Sequence, residues 1–216
     1  MSHKPFTILP HSVRDGFSKT IEYSVRYFSA LRLHPNVFTV MGFVLTCLGA
    51  YSYTTQHLVL GGILVILGGI CDTIDGKLAR QTGQQSKFGA VFDSSMDRYG
   101  ELAMFFGLGI YFVEKGGYQF TLIATFLALC GSMLVSYVRA RAEGLGYECK
   151  VGMMQRAERV VLIGFGSILG AYTHEYVLIG VIWIVAIFAN ITAIQRLHHV
   201  WKLERAELKA SHSLEE

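Results

Sequence analysis

Six apolar runs separated by short polar breaks dominate the chain: Val37 to Tyr53, Leu58 to Cys71, Leu102 to Val113, Phe120 to Val138, Val160 to Tyr172 and Tyr176 to Ile194. A helix crosses a bilayer with about 20 apolar residues. The first, fourth and sixth runs meet that length unaided. The other three do so only if each helix continues into an adjoining polar stretch, namely Asp72 to Arg80, Gly89 to Glu101 and Arg156 to Arg159. Ahead of them, Val13, Phe17, Ile21, Val25, Phe28 and Leu31 recur every three or four positions, with Arg14, Asp15, Lys19, Glu22 and Arg26 between them. That is the period of an amphipathic helix, here from His11 to Leu33, lying in the membrane interface. The pattern therefore predicts an all-α integral membrane protein. It comprises a tail and interfacial helix (residues 1–34), a six-helix transmembrane domain (35–201) and a charged C-terminal tail (202–216).

Composition agrees. Of 216 residues, 52% are hydrophobic and 16% charged, against about 25% charged in soluble domains. An ordinary soluble enzyme and a disordered chain are both excluded. The net charge is only +3, so its distribution matters more than its sum, and no nucleic-acid partner is expected. With six crossings, 18 of the 19 Lys and Arg fall on one side of the membrane, and only Lys115 lies opposite. The positive-inside rule puts both termini and all the polar half-helices in the cytoplasm, as a multi-pass protein of the cell membrane. A cleavable signal peptide is not expected, because the first strongly apolar run begins near Val37. Cys47, Cys71, Cys130 and Cys149 have no metal-like spacing and imply no disulfide framework.

The chemistry concentrates in 26 residues. Asp72 and Asp75 are three apart and Asp93 and Asp97 four apart, so each pair shares one helix face. A turn near Thr82 to Gln85 lets the two helices run antiparallel and converge all four carboxylates. Acids at membrane depth are costly and imply function. A divalent cation relieves their repulsion, and an all-oxygen donor set suits Mg²⁺ or Mn²⁺, with room for two ions. Two-ion sites serve in-line phosphoryl transfer. One such Asp could simply cap a helix or pair with Arg80 or Arg98, but four at this spacing beside Gly76 and Gly89 argue against it. The glycines remove side chains where helices or a diphosphate approach closely.

The string Asp-x2-Asp-Gly-x2-Ala-Arg-x8-Gly-x3-Asp-x3-Asp, running from Asp72 to Asp97, matches at every fixed position the signature of the CDP-alcohol phosphotransferases, and the chain resembles that family over nearly its whole length. The resemblance implies a homodimeric enzyme that passes the phosphatidyl group of CDP-diacylglycerol to an alcohol and releases CMP. It implies metal ligation by Asp72, Asp75, Asp93 and Asp97, with Asp97 also the general base. It places Gly76, Ala79, Arg80 and Ser86 in the CDP-lipid site, and Pro35 and Asn36 near the cytidine.

A second cluster comprises Ser136-Tyr-Val-Arg139-Ala-Arg141-Ala-Glu143, Gln155-Arg156-Ala157-Glu158-Arg159 and Arg196. Guanidinium groups at the mouth of a bundle suit an anionic acceptor, although snorkelling to headgroups also accounts for many such arginines. Ser136 to Glu143 and Gln195 to Trp201 resemble strings of the phosphatidylinositol-phosphate synthases within the family. By that likeness Ser136, Arg139, Arg159 and Arg196 hold the phosphate of inositol phosphate. Two departures are Ala157 where the pattern has Pro, and Gln155 where an acid is common. Glycerol 3-phosphate is the alternative acceptor. A metal-ion or proton transporter is the reading from a different class, but the acids occupy one side only and there is no repeat symmetry. His198 and His199, beside Trp201, read as interfacial rather than catalytic.

Overall fold

The computed structural model describes Val25 and residues 33–215, and these form six helices and no strand. They are α1 (Pro35–Thr54), α2 (Leu58–Thr82), α3 (Lys87–Lys115), α4 (Gln119–Gly144), α5 (Arg156–Gly170) and α6 (Tyr176–Glu215). The expected extensions of the short apolar runs are all present: α2 continues through Arg80, α3 begins before Gly89, and α5 begins at Arg156. The expected interfacial helix lies outside the described residues apart from Val25 and Leu33. Of it, Val25 is helical and fully buried, in a cluster with Phe38, Ile74 and Leu78.

Local chemistry sets the ends. Pro35 opens α1, where its missing N–H costs nothing, and Gly83 ends α2 at φ +67, the left-handed conformation that glycine adopts freely. Ser86 caps α3 by accepting from Gly89 N at 2.9 Å. The Glu158 carboxylate accepts from Gln155 N at 2.6 Å and closes the start of α5.

α1, α2, α4 and α6 are long and apolar enough to cross a membrane. The 29 residues of α3 are long enough but half polar. The 15 residues of α5 rise only about 22 Å, ending at Gly170 rather than at Tyr172. α5 packs against α2 and α6. Phe106, Phe126, Phe165 and Ile187 point outward, half or more of each exposed in most cases, which suits a surface wetted by lipid tails. The sixth helix does not stop where its apolar run does, but continues through the charged segment to Glu215. On it, Arg205 lies 4.3 Å over the Trp201 ring.

Two glycine crossings bring the helices close enough to build a site. A Cβ on Gly62 of α2 would lie 2.5 Å from the Gly164 carbonyl oxygen of α5. One on Gly107 of α3 would lie 2.4 Å from the Ala50 carbonyl oxygen of α1. Neither backbone can yield as a side chain would. Around these crossings Tyr53, Val65, Leu108, Phe112, Ile163 and Ile182 form the buried apolar half of the bundle, with Tyr53 OH accepting from Ser167 Oγ at 2.9 Å.

Gly62→Ala is expected to lower stability by about 1–3 kcal/mol through overpacking, read as a reduced melting temperature in detergent. Gly180→Ala, where a Cβ meets nothing within 4 Å, should leave it unchanged or raise it.

Candidate active site

The two antiparallel helices α2 and α3 bring their acids together at the polar end of the bundle. Ligand oxygens of Asp72, Asp75 and Asp93 lie within 4.8 Å of one another. Asp75 is 4% exposed, and Thr39 Oγ1 of α1 donates to its Oδ2 at 2.7 Å. Asp93 Oδ1 is buried with no hydrogen-bond partner among the described residues. Three converging carboxylates, one with an orphaned buried oxygen, fit a hard divalent cation. Asp97 stands outside this triad. Its Oδ1 meets Arg156 Nη2 at 2.7 Å, and Arg156 Nη1 meets Asp72 Oδ2 at the same distance. One guanidinium from α5 thus spans a carboxylate of α2 and one of α3.

On one side of the acids lies a cavity of about 560 Å³. Pro35, Asn36, Gly76, Ala79, Arg80 and Ser86 all line it, together with Asp75 and Asp93. The Arg80 guanidinium overhangs Gly76, where a Cβ would come within 3.6 Å of both terminal nitrogens. At the opposite wall a Cβ on Gly89 would crowd Ser86 Oγ at 2.9 Å. His34 Nδ1 accepts from Asn36 N at 3.2 Å and fixes the start of α1 at the rim. Lys87 and Gln84 also face this space; their turn-like surroundings hid them in the sequence.

On the other side is a second cavity of about 490 Å³. Ser136, Arg139, Arg159 and Arg196 line it with Arg98, Arg156 and the acids Asp72, Asp93 and Asp97. Asp93 borders both cavities, so the carboxylates form the partition between them. Arg141 is exposed and faces neither.

The three arginines expected at the acceptor's phosphate are held differently. Arg139 Nε pairs with Glu143 on its own helix at 2.8 Å. Arg196 is 4% exposed and donates to the Val151 and Val135 carbonyl oxygens, tying the 145–155 loop to α4 and α6. Arg159 is fully buried and donates from Nε to Glu101 Oε1 at 2.7 Å and from Nη1 to the Met154 carbonyl at 3.2 Å. The same loop is pinned by Met154 N donating to Thr192 Oγ1 at 3.0 Å. Ser136 Oγ donates to the Ser132 carbonyl of the preceding turn.

Two contributors, Thr39 and Glu101, were not singled out by the sequence, and the role of a third, Arg156, was not visible in it. Thr39 is one hydroxyl in an apolar run and carries no signal of its own. Glu101 is signalled only by its i+4 spacing from Asp97. Arg156 gives no hint, from spacing alone, that it bridges two helices. Cys149 lies in the loop by Arg196 and Arg139, and burial pushes its thiol up from the usual range. His199 contacts the Glu148 carbonyl at 3.2 Å and His198 stacks on Trp201, both away from the two cavities.

Residues 32–194 match the family model of the CDP-alcohol phosphatidyltransferases. The chain is 36% identical over 172 residues to the archaetidylinositol phosphate synthase of Methanothermobacter thermautotrophicus, covering 80% of this chain and 85% of that one. Its fold is similar to the crystal structure of Mycobacterium tuberculosis phosphatidylinositol phosphate synthase with CDP-DAG bound. That match has a TM-score of 0.76 at 30% identity, covering 85% of this chain and 94% of the other. A structure of the mycobacterial enzyme in complex with manganese and citrate matches equally, at a TM-score of 0.76 and 30% identity over 84% of this chain and 88% of that one. With a family model spanning most of its length and the acids, glycines and flanking cavities all in place, the chain belongs to the CDP-alcohol phosphatidyltransferase family.

Proposed function

We propose that this enzyme transfers the phosphatidyl group of CDP-diacylglycerol to inositol phosphate, giving phosphatidylinositol phosphate and CMP. One observation carries the reading: two cavities meet at a single carboxylate partition, and the farther one is walled by arginines from α3, α4, α5 and α6. The relatives named above are synthases of archaetidylinositol phosphate and phosphatidylinositol phosphate, which favours inositol phosphate over glycerol 3-phosphate. The active site faces the cytoplasm in this proposal, supported by the 18 Lys and Arg on that side. The working unit is a homodimer, as the family likeness suggests.

In this mechanism Arg80, lying over Gly76, grips the diphosphate of the donor, and Pro35 and Asn36 border the cytidine. Ser86 holds the α3 terminus that closes the same space. Asp72, Asp75 and Asp93, with Asp97 beside the triad, would hold Mg²⁺ or Mn²⁺, two ions in all, which would supply Lewis-acid stabilisation of charge on the transferred phosphate. Arg139, Arg159 and Arg196, with Ser136, receive the acceptor's phosphate across the partition. The acceptor hydroxyl then approaches the donor phosphorus from the side opposite CMP. Asp97 takes its proton as the new P–O bond forms and the bond to CMP breaks. Arg156 keeps Asp97 and Asp72 in register and limits their repulsion. Orientation across the partition makes the transfer effectively intramolecular.

The reading is tested by CMP release from CDP-diacylglycerol with a panel of phosphorylated and free polyols. Inositol phosphate is expected to be the preferred acceptor, and a preference for glycerol 3-phosphate or a free polyol rejects the assignment. Asp93→Asn should lower kcat by about 10²–10³ or more and abolish Mn²⁺ binding measured by paramagnetic resonance, in a protein that still folds; near-normal turnover sinks the metal-site reading. Arg139→Ala should remove a charge-assisted contact worth about 1.5–3 kcal/mol, raising the acceptor KM roughly 10- to 150-fold. The KM for the CDP-lipid is the internal control and should not move.

A further inference from the structure

Glu101 sits one turn beyond Asp97 on α3 yet lines neither cavity. Its side chain is 1% exposed and lies between two guanidinium groups. Oε1 accepts from Arg159 Nε at 2.7 Å and lies 2.7 Å from Nη2, while Oε2 is 4.0 Å from Arg98 Nε. Arg159 Nη1 is taken by the Met154 carbonyl. Nη2 contacts Glu101 off the hydrogen-bond direction, and it is buried with no hydrogen-bond acceptor among the described residues. That nitrogen belongs to a residue in the wall of the arginine cavity.

Arg159 therefore differs from its neighbours in what aims it. Arg139 is paired within its own helix, and Arg196 is held by backbone carbonyls. Arg159 depends on a carboxylate from a different helix, and a fully buried guanidinium without a counter-charge is strongly unfavourable. Arg98 has a second carboxylate in Asp97 at 3.6 Å, whereas Glu101 is the one carboxylate within ion-pair distance of Arg159 among the described residues.

We propose that Glu101 is a positioning residue for acceptor recognition: it sets the plane in which the guanidinium of Arg159 stands in the wall of the arginine cavity, where the acceptor's phosphate is received. It touches neither substrate. The inference rests on the phosphorylated-acceptor reading above. Side-on pairing through Nε sets the plane of the guanidinium, and a neutral amide at position 101 would lose the charge that keeps it there. An Asp would keep the charge but fall one methylene short.

The test compares Glu101→Gln, Glu101→Asp and Arg159→Met, with the Glu101→Gln/Arg159→Met double variant, in the full-length protein in detergent. Glu101→Gln is expected to raise the KM for inositol phosphate by about tenfold, while kcat and the KM for CDP-diacylglycerol stay within about twofold. Glu101→Asp should recover part of the loss. In the Arg159→Met background Glu101→Gln should add nothing to the acceptor KM, because its only route of action is gone. An unchanged acceptor KM in folded Glu101→Gln overturns the proposal. So do equal losses in both KM values and kcat, the mark of a merely structural pair, and so do additive effects in the double variant. If Glu101→Gln alone does not fold, Glu101→Asp and the double variant, which carries no unpaired buried charge from this pair, give the same readout. A wild-type preference for free inositol would instead overturn the proposed function, whereas the double-variant cycle fails only if Glu101 does not act through Arg159.

Discussion

Four carboxylates from two helices face one another at the polar end of this bundle, and their repulsion has to be met by positive charge before the helices can pack there. Arg156 meets part of it by placing one nitrogen on Asp72 and another on Asp97, each at 2.7 Å. Arg98 lies beside Asp97 at 3.6 Å and beside Glu101, and Glu101 in turn compensates the fully buried Arg159. The charges thus alternate from the acid cluster into the arginine cavity. Breaking one member of such a buried chain leaves an uncompensated charge, which is why these groups act together rather than as independent contacts. Asp93, with its orphaned Oδ1, is where the protein's own cations stop short and a divalent ion belongs.

The apolar half of the bundle makes that arrangement possible. Glycine contacts at Gly62 with Gly164, and at Gly107 with Ala50, let α2 meet α5 and α3 meet α1 nearly backbone to backbone. The first crossing sits on the same helix pair that joins Asp72 to Arg156. Spacing set in the hydrophobic layer is thereby transmitted along stiff helices to the polar layer, where a shift of about an ångström would separate a carboxylate from its partner. The short α5 fits this role. It is held between α2 and α6 and contributes its charged first turn to the site.

The partition also gives the two cavities different chemistry. The side proposed for the donor is built from helix ends and small residues, with Gly76 and Gly89 clearing room beneath Arg80 and Ser86. The acceptor side is built from long cationic side chains whose positions depend on carboxylates and on the loop between α4 and α5. That loop is fastened to α6 through Thr192 and Arg196. In the proposed function a diphosphate would thus be received mainly by open space and one arginine, and a compact phosphorylated polyol by several guanidinium groups fixed from different directions.

Much of this was legible in the chain itself. Hydropathy requires helices, and three of the runs are short unless their helices enter polar sequence; α2, α3 and α5 all do so, although α5 still has only 15 residues. The spacing of Asp72, Asp75, Asp93 and Asp97 places each pair on one face, and the glycine and polar turn between them sends the helices back antiparallel, because these are local properties of helical periodicity and turn chemistry. Pairing across helices is not local. Nothing in the order of residues shows that Thr39 reaches Asp75, that Arg156 spans Asp72 and Asp97, or that Glu101 rather than solvent faces Arg159. The same limit applies to Asp97, which spacing groups with the other three acids but which Arg156 holds apart from the triad. Those choices depend on the crossing angles and separations of packed helices. The sequence by itself determined which side chains share a face; only the tertiary structure decided which charge each of them meets.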